Sequence, residues 1–189
     1  SFNAITVDGD TSTNDSLMLM ATGAAGHAPL GPDHPAWGLF VETLTELCIE
    51  LAQAVVRDGE GATRLVTVEV HAARDRDEAR AVAYTVAHSP LVKTALFAGD
   101  ANWGRILAAV GRSGVPGLDL NGVDISVDDV ALIRGGEPAP TYSEDQGSAV
   151  FARPEFAIRI SLGRGDAQAR LWTCDFSYDY VKINAEYRT

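Results

Sequence analysis

Cysteine is nearly absent from this chain. Among 189 residues only Cys48 and Cys174 carry a thiol, and neither sits in a CxxC or CxxH pair. Isolated thiols of this kind read as reduced, buried residues, which fits a cytoplasmic protein. Positive charge is also scarce: 15 Lys and Arg stand against 26 Asp and Glu, a formal net charge of −11. That balance repels phosphate backbones and anionic lipid, so nucleic acid and membrane surfaces are poor partners, while a cationic or zwitterionic small molecule stays open. No window approaches the roughly 18 uninterrupted apolar residues of a membrane span. The first residues are no signal peptide, since they have no basic region and Asp8, Asp10 and Asp15 interrupt them. His27, His34, His71 and His88 are scattered without ligand spacing, so no metal site is expected. No GxSxG, P-loop or dinucleotide fingerprint occurs either.

What is present is an ordinary globular composition, 46% hydrophobic and 22% charged, without repeats or a linker able to divide it. One domain over residues 1–189 is expected, of α/β (α+β) class, because helical and strand periods alternate along the chain. A strand is expected at 2–7 and a polar turn-rich loop at 8–15. A short buried helix over 16–22, apolar almost all round, should follow, and then a surface loop over 23–35. Leu39, Phe40, Leu44, Leu47, Leu51 and Val55 recur at helical spacing within 36–57, the longest expected helix. It stops at Gly59-Glu60-Gly61, one charged side chain held between two glycines. Residues 65–70 alternate as a strand, and 76–88 return to the helical period with Ala79, Val82, Ala83 and Val86 inward. Ser89-Pro90 breaks that helix. Residues 91–97 are helix or strand, and 102–111 a helix capped by Asp100 or Asn102. Strands are expected at 124–127, 131–134, 155–162 and 168–174, with 163–166 as a hairpin turn joining the last two. Residues 177–189 form an ambiguous polar tail.

The acidic loop 8–15 admits three chemistries. Its oxygens suit a hard cation such as calcium, although Thr13 stands where an EF-hand loop needs glycine. A strand ending in Asp8-x-Asp10 also resembles a haloacid dehalogenase-type phosphatase, with Lys93 and Asp128-Asp129 in the later roles, but Ser12 replaces its threonine. The plainest reading is a turn whose Asp, Ser and Thr side chains satisfy backbone N–H groups.

Longer stretches carry more information. FNAITVDGDTSTND at 2–15, SPLVKTALF at 89–97 continuing through Asp100 to Arg105, and YVKINAEYRT at 180–189 together resemble the ornithine acetyltransferase family, the glutamate N-acetyltransferases of arginine biosynthesis. They stand in the family's order from one end of the chain to the other, and the acidic loop is part of that pattern. The resemblance implies the β-subunit part of a self-processing fold. A precursor cleaves itself, freeing a threonine that takes the acetyl group of N-acetylornithine and passes it to glutamate. A free α-amino group on the same residue can serve as its base, and the oxyanion donors come from the α subunit. The nucleophile is expected upstream of Ser1, so no catalytic residue is assigned and the chain alone is expected to be inactive. Glu60, Asn184 and Thr189 match the family's substrate-contacting positions. No cofactor is implied, with acetyl-CoA as an alternative donor in some members. The partner is the N-terminal α subunit, in a heterotetramer of two α and two β chains. Lys93, Asn102, Trp103 and Arg105 are expected to fix packing and hydrogen bonds. Competing readings are a self-processing amidase or aminopeptidase of similar fold, and a non-catalytic partner subunit.

Overall fold

The structure is a computed structural model that describes residues 1–187. Its organising element is β1 (Leu65–Ala73), whose alternating sequence buries Val66, Val68 and Val70 on one face. β5 (Glu155–Ser161) pairs with it in parallel on one side, and β6 (Ala167–Cys174) antiparallel on the other. β2 (Asp124–Val127), β3 (Val130–Arg134) and the two-residue β4 (Glu137–Pro138) extend the sheet beyond β5, in the order β4-β3-β2-β5-β1-β6.

Side-chain caps start the helices that cover the valine face. Asp75 accepts the Glu78 N–H at the head of α2 (Arg76–Ala87), Ser89 that of Val92 for α3 (Pro90–Ala98), and Asn102 that of Arg105 for α4 (Trp103–Gly111). Pro90 both ends α2 and opens α3, where its missing N–H costs nothing. These helices pack Ala79, Val82, Ala83, Val86, Leu96, Ile106 and Val110 onto Ile125, Ile133, Ile158 and Ile160 of the sheet, and α5 (Glu144–Phe151) adds Val150 and Phe151. Among the described residues the other face is covered only at one end. There α1 (Trp37–Arg57) brings Val56 and Ile49 against Leu65, Trp172 and Cys174.

Several sequence expectations change in three dimensions. The turn at 163–166 reverses the chain without making a hairpin, because β1 lies between β5 and β6. The connection crosses the end of β1: Leu162 N–H donates to His71 O (3.0 Å), and the N–H groups of Arg164 and Gly165 both donate to Ala72 O (2.7 and 3.1 Å). Ala72 itself sits at φ 52°, beside the bulge in the β1–β6 pairing. The strand expected at 2–7 is a 3-10 turn at Phe2–Ala4 followed by a single parallel bridge from Ile5 to Trp172. The helix expected at 16–22 has no regular structure, and Leu17, Met18, Leu19 and Met20 are 56 to 85% exposed. A seven-residue segment cannot hold a helix without a surface to pack on, and the described residues offer it none. The outer stripe of α1, with Phe40, Leu47, Leu51 and Val55, is also exposed. Cys48 is half-buried and only Cys174 is buried, both as free thiols. No helix among the described residues is long and apolar enough to cross a membrane.

Substituting Gly165→Ala tests the strand crossing, since an added Cβ falls 2.5 Å from Ala73 O. Overpacking of this kind should cost about 1–3 kcal/mol, read as a lower urea midpoint at an unchanged m-value; an unchanged midpoint would mean the crossing has slack.

Candidate functional site

α1 ends where Asp58, Gly59, Glu60 and Gly61 leave the helical conformation, with Ala62 N–H donating to Gly59 O (2.9 Å). Gly61 has φ +66°, and a Cβ there would overlap the backbone nitrogen of Tyr180. A glycine is therefore what lets α6 (Tyr178–Glu186) approach this loop. Ser177 fastens the two together, donating its hydroxyl to Gly61 O (2.6 Å) while accepting the Tyr180 N–H (3.2 Å) as the cap of α6. Beneath them lies the Asp175 carboxylate, with no exposed side-chain surface. It accepts the N–H groups of Thr63 (2.8 Å) and Arg64 (2.9 Å) and the Thr63 hydroxyl (2.5 Å), with the Arg64 guanidinium 3.7 Å away. Arg64 reaches on to Phe151 O (3.0 Å) and Phe97 O (2.8 Å), tying the corner to α5 and α3.

This corner brings two of the expected site residues together. Asn184 Nδ2 donates to Glu60 Oε2 at 2.6 Å and to Tyr180 O at 2.9 Å, although Glu60 and Asn184 stand 124 positions apart. Both side chains are exposed. The pair offers a carboxylate and an amide oxygen, acceptors suited to a primary ammonium. Thr189 lies outside the described residues. The tail expected as ambiguous over 177–189 is helical over Tyr178–Glu186, and Ser177 followed by Asp179 is the cap-and-acid signature that marks its start. Gly61, Asp175, Ser177 and Tyr180 were not among the expected site residues. The sequence carried a signal for Gly61, for Ser177 and for Tyr180, which opens the matched block at 180–189.

The acidic loop lies against the same corner. Asp8 Oδ1 accepts the Asp10 N–H (2.9 Å), and Ser12 Oγ accepts those of Asn14 (3.4 Å) and Asp15 (3.1 Å), the pattern of a capped turn. Asp8 Oδ2 accepts the Tyr180 hydroxyl (3.0 Å), and burial together with that carboxylate pushes the phenol up to about 12, keeping it a neutral donor. The residues a phosphatase would need are engaged elsewhere. The Lys93 ammonium donates to Thr173 Oγ1 (2.9 Å) and to Cys174 O, and Asp128 accepts from Arg153 (2.8 Å) and Ala157 N–H (2.9 Å). Asn102 caps α4, and Arg105 donates to Leu91 O (2.8 Å), the packing and hydrogen-bonding work expected of that block. A cleft of about 460 Å³ opens elsewhere, at the β6 edge, lined by Ser1, Glu69, His71, Arg80, Tyr84 and Arg170 among others; neither Glu60 nor Asn184 lines it.

Two measurements test this geometry. Gly61→Ala should push α6 off the loop, seen as faster amide exchange across 178–186 with β1 still protected; unchanged exchange would refute the close approach. The phenol of Tyr180 is held protonated in the fold, so its contribution to stability is whole below pH 10 and is lost as pH climbs to about 12. Tyr180→Phe should flatten that part of the alkaline decline in urea midpoint, whereas a parallel decline in both proteins would remove Tyr180 as its source.

Known proteins match this chain along its whole length. It is 55% identical over 190 residues to the arginine biosynthesis bifunctional protein ArgJ of Pseudomonas fluorescens, and 57% identical over 193 residues to that of Pseudomonas syringae pv. tomato. Each match takes in 100% of this chain and 47% of the relative, so the chain spans about half the length of the curated relatives it matches. The crystal structure of arginine biosynthesis bifunctional protein ArgJ from Bacillus halodurans superposes with a TM-score of 0.92 at 43% identity, covering 99% of this chain and 87% of that one. The model of the ArgJ family matches residues 1–189, and the chain belongs to that family.

Proposed function

We propose that this chain is the C-terminal subunit portion of an acetyltransferase that moves the acetyl group of N-acetylornithine to glutamate in arginine biosynthesis. The hydroxyl of a threonine upstream of Ser1 attacks the acetyl carbonyl, the amide C–N bond breaks, and ornithine leaves with the transferred proton. The amine of glutamate then attacks the acetyl ester and returns the hydroxyl to the threonine. The chain contributes part of the substrate site: Glu60 pairs with a substrate ammonium, Asn184 orients that carboxylate, and Thr189 is a third contact. No cofactor is required, and the enzyme works in the cytoplasm. The observation that carries the reading is the 2.6 Å contact between Asn184 and Glu60, two residues 124 positions apart that the family resemblance assigns to the substrate site.

The partner in this reading is the remaining half of the same protein, the α subunit, assembled as a heterotetramer of two α and two β chains. Support comes from the exposed apolar stripe of α1, where Phe40, Leu47, Leu51 and Val55 recur at intervals of seven, four and four. Leu17 to Met20 add further exposed apolar surface. Surface of this kind marks an interaction face, and the relatives are about twice the length of this chain.

In the full-length protein, Glu60→Gln should lower kcat/KM for N-acetylornithine about tenfold or more, the effect of losing a charge-assisted hydrogen bond. Intact mass spectrometry should show one acetyl group gained from N-acetylornithine and removed by glutamate. Acetate release independent of glutamate would favour the hydrolytic alternative, and no acetyl gain would sink the covalent mechanism. Leu47→Glu on α1 should weaken association of the two halves in size-exclusion chromatography; an unchanged complex would place the partner on another face.

A further inference from the structure

Lys93, in α3, is one of the chain's two lysines, and it is wholly buried. Burying an ammonium is costly unless its donors are satisfied, and burial draws this one below the ordinary lysine range. A methionine would fill the same space without that desolvation cost, so what distinguishes lysine here is its set of N–H donors. They go to the corner that supports the candidate site. One reaches Thr173 Oγ1 (2.9 Å), another Cys174 O, and the Cys174 sulfur lies 3.8 Å away. The Lys93 backbone carbonyl accepts the Phe176 N–H (3.1 Å), while the ammonium sits 4.6 Å from the centre of the Phe176 ring. That ring stacks on Tyr180 at 4.5 Å and 15°. Tyr180 in turn bonds Asp8 through its hydroxyl and Asn184 through its carbonyl, and Asn184 bonds Glu60. The contacts run unbroken from a buried charge in α3 to the exposed pair.

We propose that Lys93 is a positioning residue for the Glu60–Asn184 site: its ammonium pins the corner at 173–176 from which α6 rises, and so sets where Asn184 meets Glu60. The proposal rests on Glu60 and Asn184 being substrate contacts, as inferred above. Lys93 touches no substrate and takes no part in the acyl transfer itself. A loss of its anchoring shifts α6 and weakens recognition of the substrate ammonium while leaving the reacting groups alone.

The test is a double-mutant cycle in the full-length protein, assayed by acetyl transfer from N-acetylornithine to glutamate. Lys93→Met should raise KM for N-acetylornithine about tenfold with kcat changed less than about threefold, the signature of a lost binding contact. Asn184→Ala alone should also lower kcat/KM, and Lys93→Met added to it should cost less than about twofold more, because nothing is left to position. An equal cost in both backgrounds overturns the positioning role and leaves the site reading standing. An unchanged kcat/KM in Asn184→Ala overturns the site reading, and the proposal with it. Should Lys93→Met not fold, Thr173→Val keeps the shape, removes one acceptor of the ammonium, and goes through the same cycle. Coupling to Asn184→Ala then supports the proposal, and additivity or no effect overturns it.

Discussion

The carboxylate of Asp175 is the contact on which the rest of this architecture turns. A charge without solvent is tolerated only when its oxygens are filled, and here two backbone N–H groups, a threonine hydroxyl and a nearby guanidinium fill them. Those donors belong to residues 63 and 64, just ahead of β1, while Asp175 itself follows directly on β6. The bond therefore fixes the loop leaving α1 and the segment entering α6 at one point. Glu60 and Asn184 then meet because their carriers have a common anchor.

Opposite charges are buried on neighbouring residues of this corner. Lys93 holds Thr173 and Cys174 from the α3 side, and Asp175 holds 63 and 64 from the β1 side. Each ion is satisfied chiefly by dipoles and not by the other ion. Such an arrangement specifies geometry, since backbone amides and carbonyls can be reached from few directions. The helix layer across the sheet does the opposite kind of work: Ala79, Val82, Ala83 and Val86 fill space without direction. Close packing there sets distances between layers, while the ionic corner sets orientation.

The uneven covering of the sheet has its own cause. The valine face is closed by four helices, but among the described residues the other face meets only the end of α1 and the segment around Ile5. Apolar residues of α1 and of 17–20 are consequently exposed in a chain half the length of its relatives. A hydrophobic period predicts which residues seek a partner, and it says nothing about whether that partner is in the same chain.

Sequence by itself determined the elements whose signals are local. Alternation in β1, the 3.6-residue period of α1 and α2, Pro90 between α2 and α3, and the cap of α4 are written in neighbouring residues, whereas α5 was not among the expected elements. The family was legible as well, because three long blocks in order are far more specific than any short motif. Asn184 could be named from the last of those blocks, and Glu60 from a separate family match between the first two. Only tertiary structure decided that they touch, that β5 and β6 flank β1 instead of pairing, and that 16–22 forms no helix. Pairing partners, burial and the filling of a buried charge are properties of residues far apart in sequence. Asp175 is the clearest instance: nothing beside it in the chain marks it, and its role is set by the two amide N–H groups that the fold places against it, more than 110 positions away.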